Sequence, residues 1–123
     1  MKPQIRHETN DCRIISDMLS RVGDKWSVLI VTYLGEGSLR FSELKRIIGG
    51  ISQKMLTTSL RNLERDGLVL RTVTPSRPPR VDYQLTDLGY ELLVPVAGLA
   101  EWTRTNAHRI DSARQKYDAG QNR

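Results

Sequence analysis

Residues 52–67 of this 123-residue chain read SQKMLTTSLRNLERDG, and this stretch decides the fold. Its leucines, Leu56, Leu60 and Leu63, recur at helical spacing and form one apolar stripe. Ser52 has the chemistry of a helix N-cap, and Gly67 is a typical helix stop. The stretch therefore predicts an amphipathic helix over residues 52–66 that packs on a core through its leucines.

The opposite side of the same helix is polar and basic. At about 100° per residue it presents Lys54, Thr58, Arg61 and Arg65, flanked by Gln53, Thr57 and Asn62. An ordinary solvated face would include acids, whereas Glu64 and Asp66 lie off this stripe. Phosphates attract cations, and base edges need short hydrogen-bonding groups. The stripe therefore favours nucleic-acid recognition over simple solvation.

The sequence before this helix supplies the rest of a helix-turn-helix. A short helix is predicted at 41–48, where Phe41, Leu44 and Ile48 share a face, and Gly49-Gly50 makes the turn. Two further apolar helices are predicted upstream, at 12–22 and 25–34, with Asp24 as the cap of the second.

The sequence after it predicts a β-hairpin and a long helix. Residues 68–74 and 81–85 have strand character, and the three prolines within 74–80 predict an extended, stiff loop that cannot pair. Thr86 can cap a last helix over about 87–117, which Pro95 is expected to kink or divide, and residues 118–123 are expected to fray.

The predicted fold is therefore mainly α with a small β-hairpin (α+β). It is a winged helix-turn-helix in one domain, residues 1–123, with a reading head (the part expected to contact nucleic acid) at about 40–85. That head holds nine basic and four acidic residues, so it carries the whole net charge of +5 while the rest of the chain is neutral. Such a basic segment suggests a polyanionic partner, although a solvated basic surface is the simpler alternative.

The position of the basic residues suggests how DNA would be read. A recognition helix enters the major groove with its N-terminal residues leading, which selects Gln53, Lys54, Thr57, Thr58 and then Arg61. Arg77 and Arg80 are expected to lie on the proline-stiffened loop at the tip of the hairpin, and arginines of this kind are attracted to narrow minor grooves. We therefore expect residues 74–80 to be a wing at the minor groove.

The chain resembles the HxlR-type winged helix-turn-helix regulators from about Cys12 to Trp102. The resemblance is carried by five runs, namely Asp24-Lys-Trp26, Leu39-Arg-Phe-Ser-Glu-Leu44, Gly50-Ile-Ser52, Leu60-Arg-Asn-Leu63-Glu-Arg-Asp-Gly67-Leu-Val69 and Pro79-Arg-Val-Asp-Tyr83-Gln-Leu-Thr86-Asp-Leu-Gly89. Leu99-Ala-Glu-Trp102 continues it. The resemblance implies a homodimer on a palindromic operator, with the terminal helices making the dimer contact. Repression is the expected action, and activation is the alternative that the sequence leaves open.

The resemblance also implies roles for individual residues. It supports Ser52 to Arg61 as major-groove contacts, Arg77 and Arg80 as wing contacts, and Arg40 as a phosphate contact. Cys12 falls where some family members sense oxidants or electrophiles, and a helix N-terminus beside Arg13 favours a thiolate. The competing interpretation is a buried structural cysteine.

The apolar sides of the two terminal helices are the candidate dimer interface. They carry Ile14, Ile15, Met18, Leu92, Val96, Leu99 and Trp102. A dimer would place its recognition helices on half-sites roughly 34–36 Å apart or a multiple of that.

Other function classes fit the sequence less well. His7 and His108 lie beside no nucleophile motif, one cysteine does not make a zinc site, and no phosphate-binding loop is present, so we expect no enzyme, metal or cofactor. No apolar run approaches a membrane span or a signal peptide, and one cysteine fits a reducing compartment, so a cytoplasmic protein is expected. The closest rival is a winged helix that binds a protein rather than DNA.

Overall fold

The computed structural model describes residues 10–121, which form two compact units that divide between Leu93 and Val94. The elements in chain order are α1 (Asn10–Gly23), α2 (Lys25–Leu34), β1 (Leu39–Arg40), α3 (Phe41–Ile48), α4 (Gln53–Arg65), β2 (Val69–Thr74), β3 (Arg80–Leu85) and α5 (Asp87–Gln121). The division falls within α5, so its first turns belong to the first unit. The mainly helical fold with a small sheet is confirmed.

The core of the first unit is built from short apolar stripes of α2, α3 and α4 and the inner face of the sheet. Its buried members are Ile30, Val31, Leu34, Leu44, Ile51, Leu56, Leu60, Leu63, Leu68, Val69, Tyr83 and Leu85. The predicted caps hold the helices in place: Asp24 accepts a hydrogen bond from the backbone N–H of Trp26 at 3.2 Å and from the hydroxyl of Ser27 at 2.7 Å.

The sheet has a third strand that the sequence did not reveal. Its order is β1-β3-β2, all antiparallel, with Leu39 opposite Tyr83 and Arg40 opposite Asp82. A two-residue strand is too short to show the alternation by which strands are recognised. The expected hairpin is therefore the larger part of a three-stranded sheet.

The predicted wing loop is shorter than expected. Thr74 and Arg80 pair across the hairpin, so only residues 75–79 are unpaired, and the prediction that the whole of 74–80 cannot pair is wrong. All three prolines of the loop lie between the strands. The ladder ends where the residues that lack a backbone N–H begin, because they cannot donate to it.

The terminal helices are longer than predicted. The helix α1 begins two residues earlier than the predicted 12–22 segment, and α5 runs without a break through Pro95. Pro95 therefore does not divide the helix, and the kink that was the alternative stays a prediction. A proline removes one hydrogen bond, whereas its helical neighbours keep theirs. Residues 118–121 are helical rather than frayed, while 122–123 lie outside the described residues. Within 10–121 no helix is both long and apolar enough to cross a membrane.

The prediction of a single domain was made for residues 1–123, and residues 1–9 and 122–123 lie outside the described part of the chain. His7 also lies outside it. The single domain stays a prediction.

Candidate nucleic-acid interface

The helix α4 has the two opposite faces that its sequence predicts. Leu56 and Leu63 are completely buried, and Leu60 is only 2% exposed. On the opposite side the side chains of the basic stripe are exposed, namely Lys54, Thr58, Arg61 and Arg65. Burial of the leucines fixes which way the helix faces, so the stripe is held towards solvent.

The N-terminal end of α4 is set by Ser52. Its Oγ accepts a hydrogen bond from the backbone N–H of Met55 at 3.0 Å, which is an N-cap. Gln53 and Lys54 then lie exposed in the first turn. Thr57 is half-buried, and its hydroxyl donates to the backbone oxygen of Gln53 at 2.8 Å, so only its acceptor capacity remains.

The turn between α3 and α4 requires its two glycines. Gly49 and Gly50 have φ values of +64° and +69°, a region that residues with a Cβ rarely adopt. The bend they make lets Ile51 enter the core at 4% exposure. Together α3, this turn and α4 form the predicted helix-turn-helix.

The structure brings two predicted contact residues together on the outer face of the sheet. Arg40, just before α3, is opposite Asp82 in the register, and the Nε of Arg80 donates to Asp82 Oδ2 at 3.0 Å. Both arginines are exposed, and the Arg80 side chain is 53% exposed despite this ion pair. Because Arg80 pairs with Thr74, it belongs to β3 rather than to the loop, whereas Arg77 lies exposed in the loop itself.

One further cation of the reading head was missed as a site residue. Arg71 lies on β2 opposite Tyr83, on the inner face of the sheet, yet it is exposed. It borders a cleft of about 370 Å³ together with Thr57, Leu60, Arg61, Glu64 and Tyr83. Arg71 stands two residues from each of the apolar residues Val69 and Val73, and this spacing could have indicated that the three share one face of the strand.

The candidate dimer residues differ in exposure. Exposed side chains are Ile14 (51%), Ile15 (46%), Leu99 (51%) and Trp102 (57%). Met18, Leu92 and Val96 are half-buried. Cys12, the candidate sensor, is buried at 8% exposure near the start of α1.

Comparison with known proteins places this geometry in a family. The model of the HxlR-like helix-turn-helix family matches residues 21–111. The chain is 44% identical over 103 residues to YtfH of Escherichia coli, an uncharacterized HTH-type transcriptional regulator, covering 84% of this chain and 82% of that protein.

Solved structures agree with this assignment. The transcriptional regulator YtfH of Salmonella typhimurium superposes with a TM-score of 0.76 at 36% identity, covering 94% of this chain and 99% of that one. The redox regulator HypR in its reduced form superposes with a TM-score of 0.73 at 38% identity, covering 80% and 97%. The chain belongs to the HxlR-like helix-turn-helix family of transcriptional regulators, as the motifs of its sequence predict.

Proposed function

We propose that this chain regulates transcription by binding double-stranded DNA with the N-terminal half of α4 in the major groove. The observation that carries the proposal is the exposed, acid-free stripe of α4 directly opposite its buried leucines. Lys54 and Arg61 supply charge for phosphates, while Gln53 and Thr58 supply groups that can hydrogen-bond base edges. A neutral protein surface would offer the cations of this stripe few favourable electrostatic contacts.

The wing and the residue before α3 add basic contacts to those of that helix. Arg77, in the loop between β2 and β3, is suited to the negative potential of a narrow minor groove. Arg40 and Arg80 share the outer face of the sheet, where their charge exceeds that of Asp82 between them. This surplus favours a backbone phosphate there.

The regulator is proposed to act as a cytoplasmic homodimer on a palindromic operator, as a repressor and without catalysing a reaction. Its support is the large apolar side chains left exposed on α1 and α5, including Ile14, Ile15, Leu99 and Trp102. Single exposed apolar residues are ordinary, but a series along a helix, as on α1 and again on α5, favours a contact of each helix with another chain. Two-fold symmetry in the protein would match a palindrome in the operator.

The affinity for random-sequence duplex DNA across a salt series tests the DNA-binding proposal. We expect affinity to fall steeply with salt, because several phosphate contacts release counterions. Lys54→Ala should lower the salt dependence of the affinity, and Arg61→Ala should weaken binding to a selected operator. The double variant Arg77→Ala/Arg80→Ala should also bind that operator more weakly than the parent. Arg114→Ala, an exposed cation outside the reading head, is the charge-matched control. Absent or salt-insensitive DNA binding would favour the protein-contact alternative.

Sedimentation velocity at micromolar concentration tests the homodimer. We expect a dimer for the parent chain and a monomer for Leu99→Asp, because a carboxylate cannot be buried in an apolar contact without a large cost. A parent that sediments as a monomer would contradict this part of the proposal.

A second candidate function is oxidant sensing through Cys12. It is favoured by the likeness to HypR, which is described as a redox regulator, together with the thiol near the start of α1. Cys12 is only 8% exposed, so an oxidant has little direct access to it. Operator affinity measured before and after oxidant treatment, for the parent and for Cys12→Ser, tests it. Oxidant should change the affinity of the parent alone, and an equal response of both proteins would refute sensing by this residue.

A further inference from the structure

We propose that the cleft between α4 and the sheet is a seat for one backbone phosphate of bound DNA, held jointly by Arg71 and Arg61. The proposal rests on the proposed DNA-binding function and adds to it a binding site whose second arginine comes from the sheet rather than from the recognition helix.

The strand register carries Arg71 into this cleft. Val69 pairs with Leu85 and both are buried, which identifies the inner face of the sheet. Arg71 comes two residues after Val69 and pairs with Tyr83, so it lies on that same inner face. Its side chain nevertheless stays exposed. It therefore borders the cleft from the side of the sheet while remaining open to solvent.

One edge of α4 forms the facing wall. Thr57, Arg61 and Glu64 follow one another at spacings of four and three residues and line the cleft, with Leu60 as its apolar base. Arg61 thus belongs both to the exposed stripe of α4 and to the cleft. A DNA strand that runs along the stripe would pass the mouth of the cleft with its phosphates.

The electrostatics of the cleft favour an anion. Within residues 10–121 neither Arg61 nor Arg71 has a carboxylate within ion-pair distance, although Glu64 lines the same cleft. Two guanidinium groups that border one cleft, neither of them paired with a carboxylate, repel each other. A phosphate accepts hydrogen bonds from both and removes that repulsion, and the planar fork of arginine fits phosphate oxygens better than lysine does.

Removing Glu64 should change the affinity for DNA in the opposite direction to removing Arg71. A carboxylate at the edge of a phosphate seat repels the phosphate, so it should weaken binding at the seat. Its removal should strengthen DNA binding without any new contact, whereas loss of Arg71 should weaken it. A contact to the backbone should also act alike on every sequence, because phosphates carry no base information.

The test compares the full-length chain with Arg71→Ala, Arg71→Lys, Arg71→Gln and Glu64→Gln, and with Arg114→Ala as control. Affinities for a random duplex and for a selected operator are measured over a fourfold range of salt. We expect Arg71→Ala to weaken both complexes by the same factor, and that factor should shrink by about 3.5-fold across the range, since one phosphate contact contributes a slope of about 0.9. Arg71→Lys should keep most of the slope, and Glu64→Gln should bind both duplexes more tightly.

The outcomes separate this seat from the proposed function. A parent chain that binds neither duplex refutes both. If the parent binds DNA but Arg71→Ala keeps the salt slope of the parent, the phosphate seat alone is refuted. The same follows if Glu64→Gln binds DNA more weakly than the parent. Thermal unfolding shows whether Arg71→Ala is folded. If it is not, the Arg71→Gln and Arg71→Lys pair decides, because a seat requires the neutral variant to lose the slope that the charged variant keeps.

Discussion

Ser52 shows how one side chain positions the candidate interface. Its hydroxyl oxygen caps Met55 and begins α4, so that Gln53 and Lys54 occupy the exposed first turn. The free backbone N–H groups of that turn, with the helix dipole, also favour an approaching phosphate. Ser52 thus affects both the stability of the recognition helix and the approach of DNA to its first turn.

Substitutions of Ser52 should separate these two effects. Ser52→Ala should lower the free energy of unfolding by about 0.5–2 kcal/mol, because the N–H of Met55 loses its acceptor. Ser52→Asp keeps a capping oxygen, so its stability should stay near that of the parent, but its carboxylate should repel DNA. Urea denaturation and DNA titration of both variants test this. Equal destabilisation by Ala and Asp would show that capping is not what Ser52 contributes.

Some predicted site residues have surroundings that the sequence could not reveal. Local spacing identified the exposed side of Lys54, Thr58 and Arg61 because a helix repeats every few residues. The ion pair of Arg80 with Asp82, and the position of Arg40 opposite Asp82, depend on strand register. Register is a property of the pairing and not of any single strand.

The junction between α4, β2 and α5 is held by Thr86. Its hydroxyl donates to the backbone oxygen of Gly67 at 2.6 Å and accepts from the N–H of Gly89 at 3.1 Å. The first turn of α5 therefore lies against the turn that ends α4. Gly89 is buried there, and a Cβ at this position would collide with the backbone oxygen of Leu68.

Two glycine substitutions in α5 should have opposite effects on stability. Gly89→Ala should destabilise the protein by about 1–3 kcal/mol, because the backbone oxygen of Leu68 has to move. Gly98→Ala, on the same helix with nothing within 4 Å of the added Cβ, should stabilise it by about 0.5–1 kcal/mol through helix propensity alone. Denaturant unfolding of both variants measures this. Stabilisation by Gly89→Ala would contradict the close packing of this turn.

At the scale of the whole molecule, an ion pair ties the end of α1 to the end of α4. The Nε of Arg21 lies 2.8 Å from Asp66 Oδ2, and the two side chains are only 18% and 17% exposed. These residues stand 45 positions apart in the chain. The contact therefore connects a helix of the candidate dimer interface with the C-cap of the candidate recognition helix.

A double-mutant cycle on Arg21→Ala and Asp66→Asn should give a coupling of about 1 kcal/mol, because the pair is partly shielded from water. The Arg104–Glu101 pair of α5, 69% and 68% exposed, is the matched control and should give about 0.3–0.5 kcal/mol. Added salt should reduce the control coupling more strongly. A coupling at Arg21–Asp66 no larger than the control would mean that this tie does not stabilise the protein.

The sequence by itself determined the helices, the caps at Asp24 and Ser52, the two-sided α4 and the concentration of charge in residues 40–85. These features are local, since periodicity, capping and composition are set by residues a few positions apart. The tertiary structure alone decided the third strand, the Arg21–Asp66 tie and the meeting of Arg71 with Arg61 at one cleft. Each of these joins segments that are distant in the chain, and a local sequence pattern does not predict which distant segments pack together.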